Sequence, residues 1–119
     1  MAAVLLVEDD VMLRKSLIAL VESEGHVALS AGNGFEAAEL IRQGPMPALI
    51  LLDLMMPVMN GWAFLKFRNE HPLLSEVPVV VTTAWSEVPG EAEAIGVQGY
   101  LRKPLAPREV VEIVRKHCG

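Results

Sequence analysis

Three short apolar runs, each stopped by a polar or charged residue, constrain this chain more than anything else in it. Val4 to Val7 runs into Glu8, Asp9 and Asp10. Ala48 to Leu52 ends at Asp53, and Val77 to Val81 ends at Thr82 and Thr83. Strands buried on both faces read as continuous rather than alternating apolar runs, and such strands occur in parallel sheets covered by helices.

The residues between these runs follow helical spacing. Leu13, Leu17, Leu20 and Val21 recur along one face until Gly25, a helix stop. A short strand follows at Val27 to Leu29. Asn33 then precedes Glu36 by three residues, a capping pattern for a helix running to about Arg42. Gly44, Pro45 and Pro47 break it. Asn60-Gly61 marks a turn, Trp62, Phe64 and Leu65 give a third helix its inner face, and Pro72 ends it. A fourth helix between Glu87 and Ile95 is cut short by Pro89-Gly90. Gly99 to Arg102 makes a brief strand. Pro107 suits the first turn of a last helix lined by Val110, Val111 and Val114. The order is strand, helix, five times over. It implies an α/β fold: a five-stranded parallel sheet, doubly wound and flavodoxin-like, with strand order 2-1-3-4-5 and a short or irregular fourth helix.

With 119 residues the chain fits a single domain, residues 1–119. An apolar fraction of 52% supplies a core and excludes a disordered tail. No run of about 18 uncharged apolar residues is present, so no membrane partner is expected. The net charge of −5, without a basic stripe, argues against nucleic acid. One cysteine, Cys118, cannot form an internal disulfide, which suits a reducing, cytoplasmic setting.

In a parallel sheet the carboxyl ends of the strands share one edge. Glu8, Asp9, Asp53, Thr83 and Lys103 therefore meet there, although they are far apart in sequence. Carboxylates crowded together repel, and a hard cation with oxygen ligands removes the conflict. Magnesium fits, because it takes one or two carboxylates, keeps waters and accepts a phosphate oxygen. Lys103 adds a charge suited to a phosphoryl oxygen, and Thr83 adds a neutral donor. Asp53 is then the candidate nucleophile, able to form an aspartyl phosphate. Asp10, directly before a helical pattern, reads as an N-cap instead.

Four motifs now line up: Leu5-Leu6-Val7-Glu8-Asp9, Asp53-Leu54-Met55-Met56-Pro57-Val58-Met59-Asn60-Gly61, Val80-Val81-Thr82-Thr83-Ala84, and Gly99-Tyr100-Leu101-Arg102-Lys103-Pro104. In this order and at these separations the chain resembles a receiver domain of the two-component response regulators. The resemblance implies that Asp53 accepts a phosphoryl group from a sensor histidine kinase or phosphotransfer protein. It implies a Mg2+ site in which Asp9 is a direct ligand, Glu8 acts through metal-bound water, and Asp53 and the Met55 backbone carbonyl contribute. Thr83 and Lys103 contact the phosphoryl group, with a cis bond to Pro104 placing the ammonium. Tyr100 becomes a switch that turns inward after Thr83 moves, and the face of fourth helix, fifth strand and last helix reads out the state to a downstream protein or a fused output domain. Beyond assisting its own phosphorylation and slow dephosphorylation, no enzyme activity is implied. Blander readings stand beside these: Thr83 as a strand end and Tyr100 as a static edge aromatic.

Some features depart from the family. The stretch from Thr83 to Tyr100 is slightly short, which bears on the signalling face. Glu8 stands where Asp is commoner. Met55 and Trp85 are bulky where polar groups can position a hydrolytic water, so slow loss of phosphate is expected. The chain ends soon after its last helix, which suits either a single-domain regulator or a receiver excised from a larger regulator or hybrid kinase.

Overall fold

A computed structural model describes residues 2–54, 61–84 and 97–119. Its elements run β1 (Ala3–Val7), α1 (Val11–Ser23), β2 (Val27–Ala31), α2 (Gly34–Gln43), β3 (Leu49–Asp53), α3 (Gly61–Glu70), a 3-10 turn (Leu74–Glu76), β4 (Val79–Thr83), β5 (Gly99–Arg102) and α4 (Pro107–Cys118). All strand pairs are parallel, in the order β2-β1-β3-β4-β5. The expected doubly wound sheet is therefore present. The expected fourth helix, Glu87 to Ile95, lies outside the described residues.

The apolar runs end up where their composition requires. Every residue of β3 and β4 is buried, and so are Val4 to Val7 of β1. Side chains alternate between two cores, one on each face of the sheet. On one face Leu5, Val7, Ile50, Leu52, Val79 and Val81 pack against Ala37 and Ile41 of α2 and Phe64 and Leu65 of α3. On the other, Val4, Leu6, Leu49, Leu51 and Val80 meet Leu17 and Val21 of α1 and Val110 and Val114 of α4. Each fully buried Leu, Ile, Val or Phe contributes about 1.5–3 kcal/mol, so the two layers dominate stability.

The helix boundaries have local causes. Asp10 Oδ1 accepts from the Leu13 amide at 3.1 Å and caps α1, as its position suggested. Gly25 follows that helix at φ 85°, the left-handed region that favours glycine. Asn33 Oδ1 accepts from the Glu36 amide at 2.8 Å, while Glu36 Oε1 accepts from the Gly32 amide at 2.8 Å. This is a reciprocal cap, shifted one residue from the usual box. Pro107 occupies the first turn of α4.

The structure corrects several boundaries. β2 extends to Ala31 because it pairs with the whole of β1. β4 begins at Val79 rather than Val77, since the Val77 amide closes the 3-10 turn onto the Leu74 carbonyl. In α4, Ile113 rather than Val111 joins Val110 and Val114 against the core. Phe64 and Leu65 form the buried inner face of α3, and Trp62, partly buried, packs against the same core as expected.

Candidate functional site

The carboxyl ends of β1, β3, β4 and β5 deliver the site. Glu8 and Asp9 follow β1, Asp53 is the last residue of β3, Thr83 the last of β4, and Lys103 follows β5. Register fixes their heights, with Asp53 level with Thr82 and Thr83 level with Arg102. Glu8, Asp53 and Thr83 are buried and Asp9 is exposed. One ligand oxygen from each of Glu8, Asp9 and Asp53 lies within 4.8 Å of the others.

Lys103 closes the cluster. Its Nζ stands 2.8 Å from Glu8 Oε1 and 3.2 Å from Asp53 Oδ2. Its amide donates to the Thr83 carbonyl at 2.7 Å, which joins β5 to the end of β4 at the level of the site. The Lys103–Pro104 peptide bond is cis, as expected. Tyr100 lies on the edge strand β5 with 42% of its surface exposed. Both readings of it, switch and static aromatic, share that placement.

Burial pushes the Glu8 carboxyl up to about 7, from an ordinary 4.5. The Lys103 ammonium and the Asp10 amide, which donates to Oε2 at 3.1 Å, pull it down without cancelling the burial, and Asp53 pushes it further up. Burial acts on Lys103 in the opposite sense, but Glu8 and Asp53 together outweigh it and hold the ammonium above its ordinary value. Two carboxylates, Glu8 and Asp53, thus share one ammonium, and the third, Asp9, has no ion pair among the described residues.

A divalent ion fits this set. Glu8 Oε1 is buried and has no hydrogen-bond partner among the described residues, although Lys103 sits at ion-pair distance. Such an oxygen, beside two further carboxylates, suits a hard cation that prefers oxygen ligands. Met55, whose carbonyl was the remaining expected ligand, lies outside the described residues. So does Trp85, expected with Met55 to shield the site.

Comparison with known proteins gives the family. The response regulator receiver domain profile matches residues 4–115. The chain belongs to the response regulator receiver domain family. It is 30% identical to the polar-differentiation response regulator DivK of Brucella anthropi, covering 98% of this chain and 96% of that protein. The chemotaxis response regulator CheY4 of Vibrio cholerae superposes with a TM-score of 0.89 at 26% identity, over 98% of each chain. The receiver domain of the Francisella response regulator 1452 gives 0.87 at 27%, covering 98% of this chain and 95% of that one. This receiver domain therefore belongs to two-component signalling. Among the described residues, no helix is long and apolar enough to cross a membrane.

Sequence reasoning missed two members of the neighbourhood. Arg14 Nη1 donates to the Glu8 carbonyl at 2.9 Å, and Gly32 lies directly against that guanidinium. Arg14 lies inside α1, and Gly32, directly after β2, carries no side chain, so neither reads as a polar strand end.

Proposed function

We propose that residues 1–119 form one cytoplasmic receiver domain that takes a phosphoryl group onto Asp53 and changes its partner binding as a result. The observation that carries this reading is the convergence on Asp53: an ammonium at 3.2 Å and two further carboxylates within 4.8 Å. The donor is a phosphohistidine on a sensor histidine kinase or phosphotransfer protein. An Asp53 carboxylate oxygen attacks phosphorus; the N–P bond breaks as the O–P bond forms, and the departing imidazole nitrogen keeps the electron pair. Glu8, Asp9, Asp53 and the Met55 carbonyl would hold Mg2+, which supplies positive charge against the phosphoryl oxygens. Lys103 offsets charge on another oxygen, and Thr83 donates a hydrogen bond to a third. Water later cleaves the acyl phosphate, releasing phosphate and restoring the carboxylate.

The new group adds about two negative charges beside Lys103 and the end of β4. Thr83 moving toward it, with Tyr100 turning inward, would shift the balance between two states of the β5 side of the domain. The readout is a downstream protein or a fused output domain, with neither nucleic acid nor membrane contacted by this domain.

The test is direct. With Mg2+ and a small phosphodonor, intact-mass analysis should show one added phosphoryl group on the wild type. Chelation should prevent it, and so should Asp53→Asn. Equal labelling of Asp53→Asn would move the acceptor elsewhere and end this reading.

A further inference from the structure

The peptide joining Glu8 to Asp9 carries the carbonyl that Arg14 grips. Arg14 lies in the first turn of α1, and its Nη1 donates to that oxygen at 2.9 Å. The two acids differ in how they are held. Glu8 is buried, its amide donates to the Ala31 carbonyl at 3.0 Å, and its Oε2 accepts from Asp10. The Asp9 carboxylate is exposed and makes no hydrogen bond or ion pair among the described residues. Main-chain placement alone aims it, and Arg14 holds the peptide on its N-terminal side.

Gly32, between β2 and α2, provides the room. A Cβ there would fall 2.8 Å from Arg14 Nη1 and 3.0 Å from Glu36 Oε1. Its backbone is not among the positive-φ glycines, so the need for glycine is one of space rather than conformation. What a methyl would strike is the far end of two flexible side chains, not main chain. The fold can absorb it by moving the guanidinium, which is the movement that breaks the bond to Glu8.

We infer that Arg14, seated against Gly32, is a positioning residue that fixes the Glu8–Asp9 peptide so that both carboxylates face one magnesium ion. The inference rests on the metal reading above. Its sign separates it from a plain charge effect. Removing a cation near an acidic site should tighten binding of a divalent ion, whereas removing a clamp should loosen it.

Calorimetric Mg2+ titration at a fixed, mildly alkaline pH decides between them, with urea unfolding confirming that each variant is folded. Arg14→Met and Gly32→Ala should each weaken Mg2+ binding about tenfold, the low end of what lost outer partners cost at metal sites. The double variant should be no weaker than either single one, because both remove the same bond. Tighter or unchanged binding by folded Arg14→Met overturns the inference, as does a double variant weakened by the product of the single effects. Gly32→Ala provides the same reading should Arg14→Met fold poorly. Absence of Mg2+ binding by the wild type would instead defeat the metal reading, and this inference with it.

Discussion

Raising the pH of metal-free protein should weaken the fold through one carboxyl. Glu8 is 1% exposed, and its pKa rises from 4.5 to about 7 on folding. Between those values the folded chain holds a proton that the unfolded chain has lost. The stabilisation is therefore complete below about 4.5 and disappears as pH rises through about 7. Each pKa unit corresponds to about 1.4 kcal/mol, so the full effect is about 3 kcal/mol. His117 works the other way. Burial, then the neighbouring Lys116, push its imidazole below 6.5, so its contribution is present at high pH and lost as pH falls. The measurement is urea unfolding in chelator from about pH 5 to about pH 8, on wild type and Glu8→Gln. Wild type should lose roughly 1–3 kcal/mol across that range. Glu8→Gln should lose none, and can gain a little from His117. Saturating Mg2+, which favours the ionised carboxylate, should flatten the wild-type curve. A Glu8→Gln variant that declines as steeply as wild type would refute the assignment of this slope to Glu8.

Three further expectations concern the frame. Asn33→Ala removes the cap on the Glu36 amide and should cost about 1 kcal/mol in urea unfolding, with Asn33→Ser largely neutral. Gly25→Ala puts a side chain at φ 85° in open space, so it should cost about 1 kcal/mol through backbone strain alone; a neutral result would show that this turn relaxes. Arg68 is buried and donates to the Val77 carbonyl at 2.7 Å and to Asn69 Oδ1 at 2.6 Å. Arg68→Met should destabilise by about 1–3 kcal/mol, since it strands the Val77 carbonyl, and a loss too small to measure would mean that water replaces the guanidinium.

What could be read from the sequence was whatever a local pattern dictates. Strands β1, β3 and β4 stood out because burial on both faces leaves no polar alternation. β2 was read short because it is an edge strand with Val27 and Ser30 exposed, so its pattern is weak. The acidic cluster followed from topology, since a parallel sheet gathers strand ends on one rim. The 3-10 turn at Leu74–Glu76 could not be seen: its entry is held by the His71 ring, whose Nδ1 accepts from the Leu73 and Leu74 amides. Nor could the placement of the Lys103 ammonium between Glu8 and Asp53, or the grip of Arg14 on the Glu8 carbonyl. Each depends on where a long side chain ends in space, and spacing along a chain does not encode that. The Val111 and Ile113 exchange on α4 has a similar origin, because the exact roll of a helix is set by the face it packs on.

Lys103 is attached at both ends: its ammonium reaches Asp53, while its amide is stitched to the carbonyl of Thr83. The two strand tips therefore form a yoke. A pull on the lysine head is transmitted to the end of β4, and a tug on the threonine main chain drags the charge with it. Neither tip can answer a newcomer at Asp53 alone.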